Sequence, residues 1–134
     1  FSPTGGVKIS AHDLAIYMMM HMNYGEYNGV RLISEESAKL MQTPVWKKQK
    51  EGEDQYGLCL EEFVNYIDDP KYNVEGNYPV GHTGVAYGLN SIMIWSPADG
   101  WGITAMSNGF DWSTDKSFVQ TLANAIYNAC IKEQ

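Results

Sequence analysis

The chain has 134 residues, 44% of them hydrophobic and 19% charged, so it is long enough to bury a core and too apolar to be disordered. Asp and Glu number 16 against 9 Lys and Arg, a net charge of −7 with no basic stripe, which excludes the clustered cations a nucleic-acid binder turns toward phosphates. No apolar run reaches the length of a membrane span; "LAIYMMMHM" is short and sits inside an amphipathic pattern.

The opening "FSPTGGVKIS" carries no strong periodicity. Ser10 then precedes Leu14, Tyr17, Met18, His21 and Met22 at helical spacing, with Asp13 three residues on, a capping-box-like start. Asn23 and Gly25 end that helix, and "NGVRLI" reads as a short extended link. Ser34 caps a second short helix, with Glu35 and Glu36 in the first turn where the helix dipole favours acids. It stops before Pro44. Residues 46–55 are polar and read as a surface loop, residues 56–64 as a strand, and residues 65–80 as a long polar connection. Residues 86–95 form a strand, "SPADG" a turn and "WGITAMSNG" the next strand, together an antiparallel hairpin. At the C-terminus, Phe118, Leu122, Ala125, Ile126 and Ala129 make one apolar face of a last helix.

This order predicts an α+β fold, an antiparallel sheet of about three strands covered by helices. All of 1–134 falls in one unit, with a helical segment at 1–45 and the sheet plus C-terminal helix at 56–134. Three strands are few for so many large apolar side chains, which points to structure outside this sequence.

Other residue patterns have plain readings. Cys59 and Cys130 lie in apolar periodic segments and read as buried free thiols rather than a disulfide. His12 and His21 are out of phase on one helix and cannot share a metal; His12 reads as solvent-facing and His21 as partly buried. No cluster has zinc spacing, and "DDPKYNVEGN" lacks the calcium-loop spacing, so no metal and no cofactor are expected. "STDK" fits Ser-x-x-Lys literally, but Ser113 or Thr114 as cap of the last helix, with Asp115 in its first turn, accounts for it.

The stretch "PVGHTGVAYGLNSIMIW" is less ordinary. Glycine weakens a strand interior, and one good reason for it is that another backbone or a ligand comes close. Gly81 and Gly84 bracket His82 and Thr83 at the head of an apolar strand. Histidine suits a site because its charge responds near neutral pH, and Thr83 offers a hydroxyl.

In order, "TGGVKISAHDLAIYMMMHMN", "NGVRLISEESAKLMQTP", "YGLCLEEF" and "GHTGVAYGLNSIMIWSPADGWGITAMSNG" resemble the C-terminal part of the serine beta-lactamase and penicillin-binding-protein superfamily. The chain looks most like the class C beta-lactamase-related serine hydrolases. The resemblance covers nearly all of the chain but only the latter part of that family's domain. It implies the C-terminal part of a beta-lactamase/transpeptidase-like fold. Family members form an acyl-enzyme on the serine of a Ser-x-x-Lys motif, use a Tyr-x-Asn motif to handle protons, and place a Lys-Thr-Gly or His-x-Gly motif on a strand beside the serine.

His82, Thr83 and Gly84 match the third motif. The resemblance then implies that His82 orients a substrate carboxylate or helps a proton move. It implies that the Val85 backbone N–H is an oxyanion donor, that Thr83 bonds substrate, and that Gly84 leaves room for substrate and the nucleophile helix. Tyr87 and Asn90, read as following on the same strand, either line the cleft or pack the sheet.

Upstream of His82 there is no Ser-x-x-Lys, and nowhere is there a Tyr-x-Asn. The implied partners are therefore the missing N-terminal half of the domain and a small-molecule or peptide substrate: a beta-lactam, a D-amino-acid peptide or a small ester. A homo-oligomer through exposed sheet surface is the further expectation. The resemblance implies a bacterial periplasmic, envelope or secreted location. The rival reading is a non-catalytic binding or regulatory module on the same scaffold.

Overall fold

The computed structural model describes residues 6–46, 55–86, 88–109 and 118–133. Helix α1, Ala11–Met22, starts as its cap predicts: the Ser10 hydroxyl accepts the Asp13 amide at 3.0 Å and donates to the Asp13 carboxylate at 2.7 Å. The segment read as an extended link is instead a small hairpin, β1 (Glu26–Tyr27) against β2 (Val30–Arg31). Asn28 and Gly29 turn it with φ of 49° and 78°, the left-handed pair that matches strand twist. Arg31 ties it down, bonding Glu26 and the carbonyls of Tyr24 and Ile33. Helix α2, Glu35–Gln42, is capped by Ser34, which accepts the Ser37 amide at 3.1 Å.

The chain is α+β, with one antiparallel five-stranded sheet in the order β3-β4-β5-β6-β7. The expected three strands become five because one predicted strand is two short ones and the segment before another is a strand as well. The predicted strand at 56–64 breaks into β3 (Gln55–Tyr56) and β4 (Glu61–Glu62), folded back on each other. Gly57 makes this possible: its amide donates to the Leu60 carbonyl at 2.7 Å, and a Cβ there would lie 2.2 Å from the Met41 carbonyl oxygen. The histidine motif, read as the head of the strand predicted at 86–95, belongs instead to a strand of its own. Val80–Ala86 is β5 and Leu89–Trp95 is β6, paired antiparallel from Val80↔Trp95 to Ala86↔Leu89. The chain reverses between Ala86 and Leu89, and Gly88 has φ +81°. Strand β7, Gly102–Ser107, completes the predicted hairpin with β6.

Each face of the sheet has its own core. On one face α1 packs Met18 against Leu60, Val80, Met93 and Trp95, and the Thr104 hydroxyl donates to the Ala11 carbonyl at 3.0 Å. On the other face Ile92, Ile94, Ile103 and Ala105 meet helix α3, Phe118–Cys130. The buried face of α3 is rotated from the predicted one. Val119, Ala123, Asn124 and Tyr127 are buried, whereas Ala125 and Ala129 are exposed. The cause is Asn124. Its amide donates to the Tyr66 carbonyl at 2.9 Å and its oxygen accepts the Asp68 amide at 2.7 Å, so it must face that loop.

Cys59 and Cys130 form no disulfide, but both are exposed rather than buried. Cys59 sits in the tight turn between β3 and β4, and Cys130 is the last residue of α3. His12 is solvent-facing, as expected, and His21 is fully rather than partly buried. The predicted cap at Ser113 or Thr114 and the bulk of the predicted surface loop, 47–54, lie outside the described residues. Among the described residues no helix is long and apolar enough to cross a membrane.

Asn124→Ala leaves the Asp68 amide without its acceptor and the Tyr66 carbonyl with Gln120 as its remaining donor, so it should destabilise the protein by about 1–2 kcal/mol. Exposed Asn128→Ala on the same helix should change stability by less than about 0.5 kcal/mol. Urea denaturation of the two variants measures the difference, and equal midpoints would remove Asn124 as the clamp.

Candidate functional site

The site residues sit on β5, and its neighbours decide what each can do. The Phe63 amide donates to the Pro79 carbonyl at 2.8 Å, so Pro79 points its carbonyl at the β4 side. Backbone groups alternate sides along a strand, which turns the N–H and C=O of Gly81, Thr83 and Val85 the same way, away from β6. Strand β4 pairs with Val80 and Gly81 and no further. In that register Thr83 would face Cys59, but the chain has already turned away into the β3–β4 loop. Past Gly81, then, the outer edge of β5 has no paired strand among the described residues. The N–H groups of Thr83 and Val85 point out along it.

His82 lies on the α1 side of the sheet, opposite Met93, and is exposed. Its Nδ1 meets the carbonyl oxygen of Thr83. A carbonyl only accepts, so Nδ1 is the donor in this contact. The ring is thereby held at the edge, with Nε2 beside two outward backbone donors. Thr83 is half-buried and Val85 exposed.

The two glycines answer first to the neighbouring strand. A Cβ on Gly81 would lie 1.9 Å from the Met93 carbonyl oxygen, a backbone atom that cannot move aside. One on Gly84 would lie 2.5 Å from the Ser91 Oγ. Ser91, which the sequence reading missed, donates that hydroxyl to the Gly84 carbonyl at 3.3 Å. No local signal marks Ser91; only the register Gly84↔Ser91 brings the two together.

The other candidates separate from this group. Asn90 is not on the strand of the motif. It is on β6 opposite Val85, on the α3 side, and only 1% exposed. Its side-chain amide has no hydrogen-bond partner among the described residues. Tyr87 lies outside the described residues. The backbones of His82, Thr83, Gly84 and Val85 are thus brought together along one edge, whereas the side chains of Thr83, opposite Ile92, and of Asn90 lie on the face away from His82. Among the described residues no group of three or more His, Cys, Asp or Glu could hold a metal ion.

The chain matches no protein-family model, no curated protein and no solved structure.

If Ser91 is what demands glycine at 84, Gly84→Ala should cost about 1–3 kcal/mol alone. In a Ser91→Ala background the same change should cost less by at least about 0.5 kcal/mol, a coupling expected of residues in contact. Thermal melts of the four proteins close the cycle. An equal cost in both backgrounds would mean that Gly84 is held by something other than Ser91.

Proposed function

We propose that the chain is the C-terminal part of a beta-lactamase-like serine hydrolase that cleaves amide or ester bonds through an acyl-serine intermediate. The observation that supports this most is the outer edge of β5: two outward backbone N–H groups beside an exposed histidine held by its Nδ1. A substrate lying along that edge would set its carbonyl oxygen against the Val85 N–H. A serine Oγ from residues outside these 134 adds to the carbonyl carbon, and its proton passes to a neighbouring base. The Val85 N–H meets the negative oxygen that forms. Collapse expels an amine or alcohol, which takes up a proton, and water then releases the acid by the same steps in reverse order.

His82 in this scheme orients a substrate carboxylate or hands on a proton through Nε2. Thr83 would bond the substrate with its hydroxyl from the α3 face, where that substrate wraps the open edge. Tyr87 remains a candidate substrate contact. Asn90 would act only through β5, from the far face. The substrate is a beta-lactam, a D-amino-acid peptide or a small ester, and the scheme needs neither metal nor cofactor. The parent would work in the bacterial periplasm, in the envelope or outside the cell. The missing half of the domain is the first partner, and a second copy of the chain is the alternative cover for exposed sheet.

One observation favours a second reading. An edge with outward N–H and C=O groups can bind an extended peptide with no nucleophile at all. A non-catalytic module on the same scaffold would use it that way.

The two readings differ in turnover. The 134 residues alone should not hydrolyse a chromogenic cephalosporin or a nitrophenyl ester above buffer. Activity lost on Ser113→Ala would overturn that expectation. In the longer protein that carries the serine, His82→Ala should lower kcat/KM about 100-fold, the low end for loss of a proton-handling group. Its melting temperature should barely change, because the side chain is exposed. Undiminished turnover in His82→Ala would take the histidine out of the mechanism.

A further inference from the structure

His21 occupies the last turn of α1 and is 0% exposed. Its ring stands edge-on to Tyr17, with centroids 4.7 Å apart, and stacks at 6.1 Å and 20° over Trp95 of β6. Its backbone carbonyl accepts the Gln42 side-chain amide at 2.8 Å, which ties the end of α1 to the end of α2. One residue thus joins both N-terminal helices to the sheet. Yet neither ring nitrogen has a hydrogen-bond partner among the described residues, and neither does Trp95 Nε1. A buried histidine normally bonds through at least one nitrogen.

Among the described residues no counter-charge acts on the ring. From α1 the facing titratable group is Tyr17, whose phenol is itself pushed up by burial. From β6 it is Trp95, which does not titrate. From α2 it is the neutral amide of Gln42, while Lys39 of that helix is paired with Glu35 and lies over the Tyr24 ring. A neutral imidazole is tolerable there. An imidazolium would carry two N–H donors and a positive charge into a site where neither nitrogen has an acceptor among the described residues, which is among the most costly things a core can hold.

We propose that His21 is an acid-sensitive latch, whose protonation releases α1 and α2 from the sheet face that carries His82. This holds whether or not the chain is a hydrolase, since it rests on His21, Trp95 and Gln42 alone. Burial lowers the proton affinity of the ring from its ordinary value of 6.5, with no other contribution. The sign follows from that. Above pH 6.5 the ring is neutral in both states and the latch is fully closed. As pH falls below 6.5 the released ring takes a proton that the packed ring refuses. The open fraction then rises by about tenfold per pH unit until the packed ring titrates as well.

Hydrogen exchange between pH 7.5 and 5.5, corrected for intrinsic rates, reads the latch directly. The amides of residues 11–42 should open about tenfold more often at the lower pH, while those of β6 and β7 keep their protection. His21→Phe keeps a flat ring over Trp95 and cannot titrate, so its exchange should lose this pH dependence. The same dependence in His21→Phe would overturn the proposal, as would β6 and β7 opening together with α1. Should His21→Phe not fold, NMR titration of the wild-type ring decides. A ring that takes up its proton near pH 6.5 with α1 still protected would sink the latch; uptake coupled to loss of α1 protection would support it.

Discussion

The register between β5 and β6 governs the molecule. Seven consecutive pairs, Val80↔Trp95 through Ala86↔Leu89, decide which side chains face α1 and which face α3. A slip of one residue would turn every side chain of a strand to the other face. Ile92 and Ile94 would leave the α3 core, and Trp95 would lose its place under α1. The close passage of Gly81 by the Met93 carbonyl fixes the same register from the backbone. The position of His82 on the α1 side, and the outward turn of the Thr83 and Val85 amides, follow from it.

Polar clamps then hold the layers without intruding on that edge. Tyr127 donates to Asp69, Tyr72 to Asp99, and Trp101 Nε1 to the Tyr72 hydroxyl, all at 2.7–2.8 Å. The Lys71 ammonium, followed by the Tyr72 hydroxyl, holds the Asp99 carboxyl below its usual range, and burial pushes the Tyr127 phenol up. With Asn124, these contacts fasten the long connection before β5 to α3 and the β6–β7 turn. That connection looks unstructured in sequence because its partners are polar groups far along the chain. It leaves the far half of β5 uncovered.

Local chemistry was legible and pairing was not. The caps at Ser10 and Ser34 could be read because an N-cap acts within three residues. The turn before β7 could be read from its Pro, Asp and Gly. The reversal after Ala86 was hidden because apolar residues flank it on both sides, so the strand pattern runs straight through. The face of α3 was misjudged because Asn124 answers to carbonyl and amide groups near residue 66, which periodicity does not register. The same division applies to the candidate site. The grouping of His82, Thr83 and Gly84 is local and was visible. The open edge depends on where β4 stops, and the burial of Asn90 depends on register; neither is written in the residues themselves.

The contact between α1 and β7 has a chemical side. At Gly102, even a β-carbon would come within 2.4 Å of the Met18 methyl and 3.1 Å of the Met22 sulfur. Methionine fills such a gap because its thioether is flexible and apolar. Oxidation to the sulfoxide adds a polar oxygen to that sulfur. There is no space for it over Gly102, and the side chains of Leu14, Met18 and Met93 around it are apolar. Met19, one residue along the helix and facing outward, is the more accessible thioether. Oxidants reaching the folded protein therefore meet a harmless methionine first, and the helix–sheet seam depends on the reduced state of the two behind it.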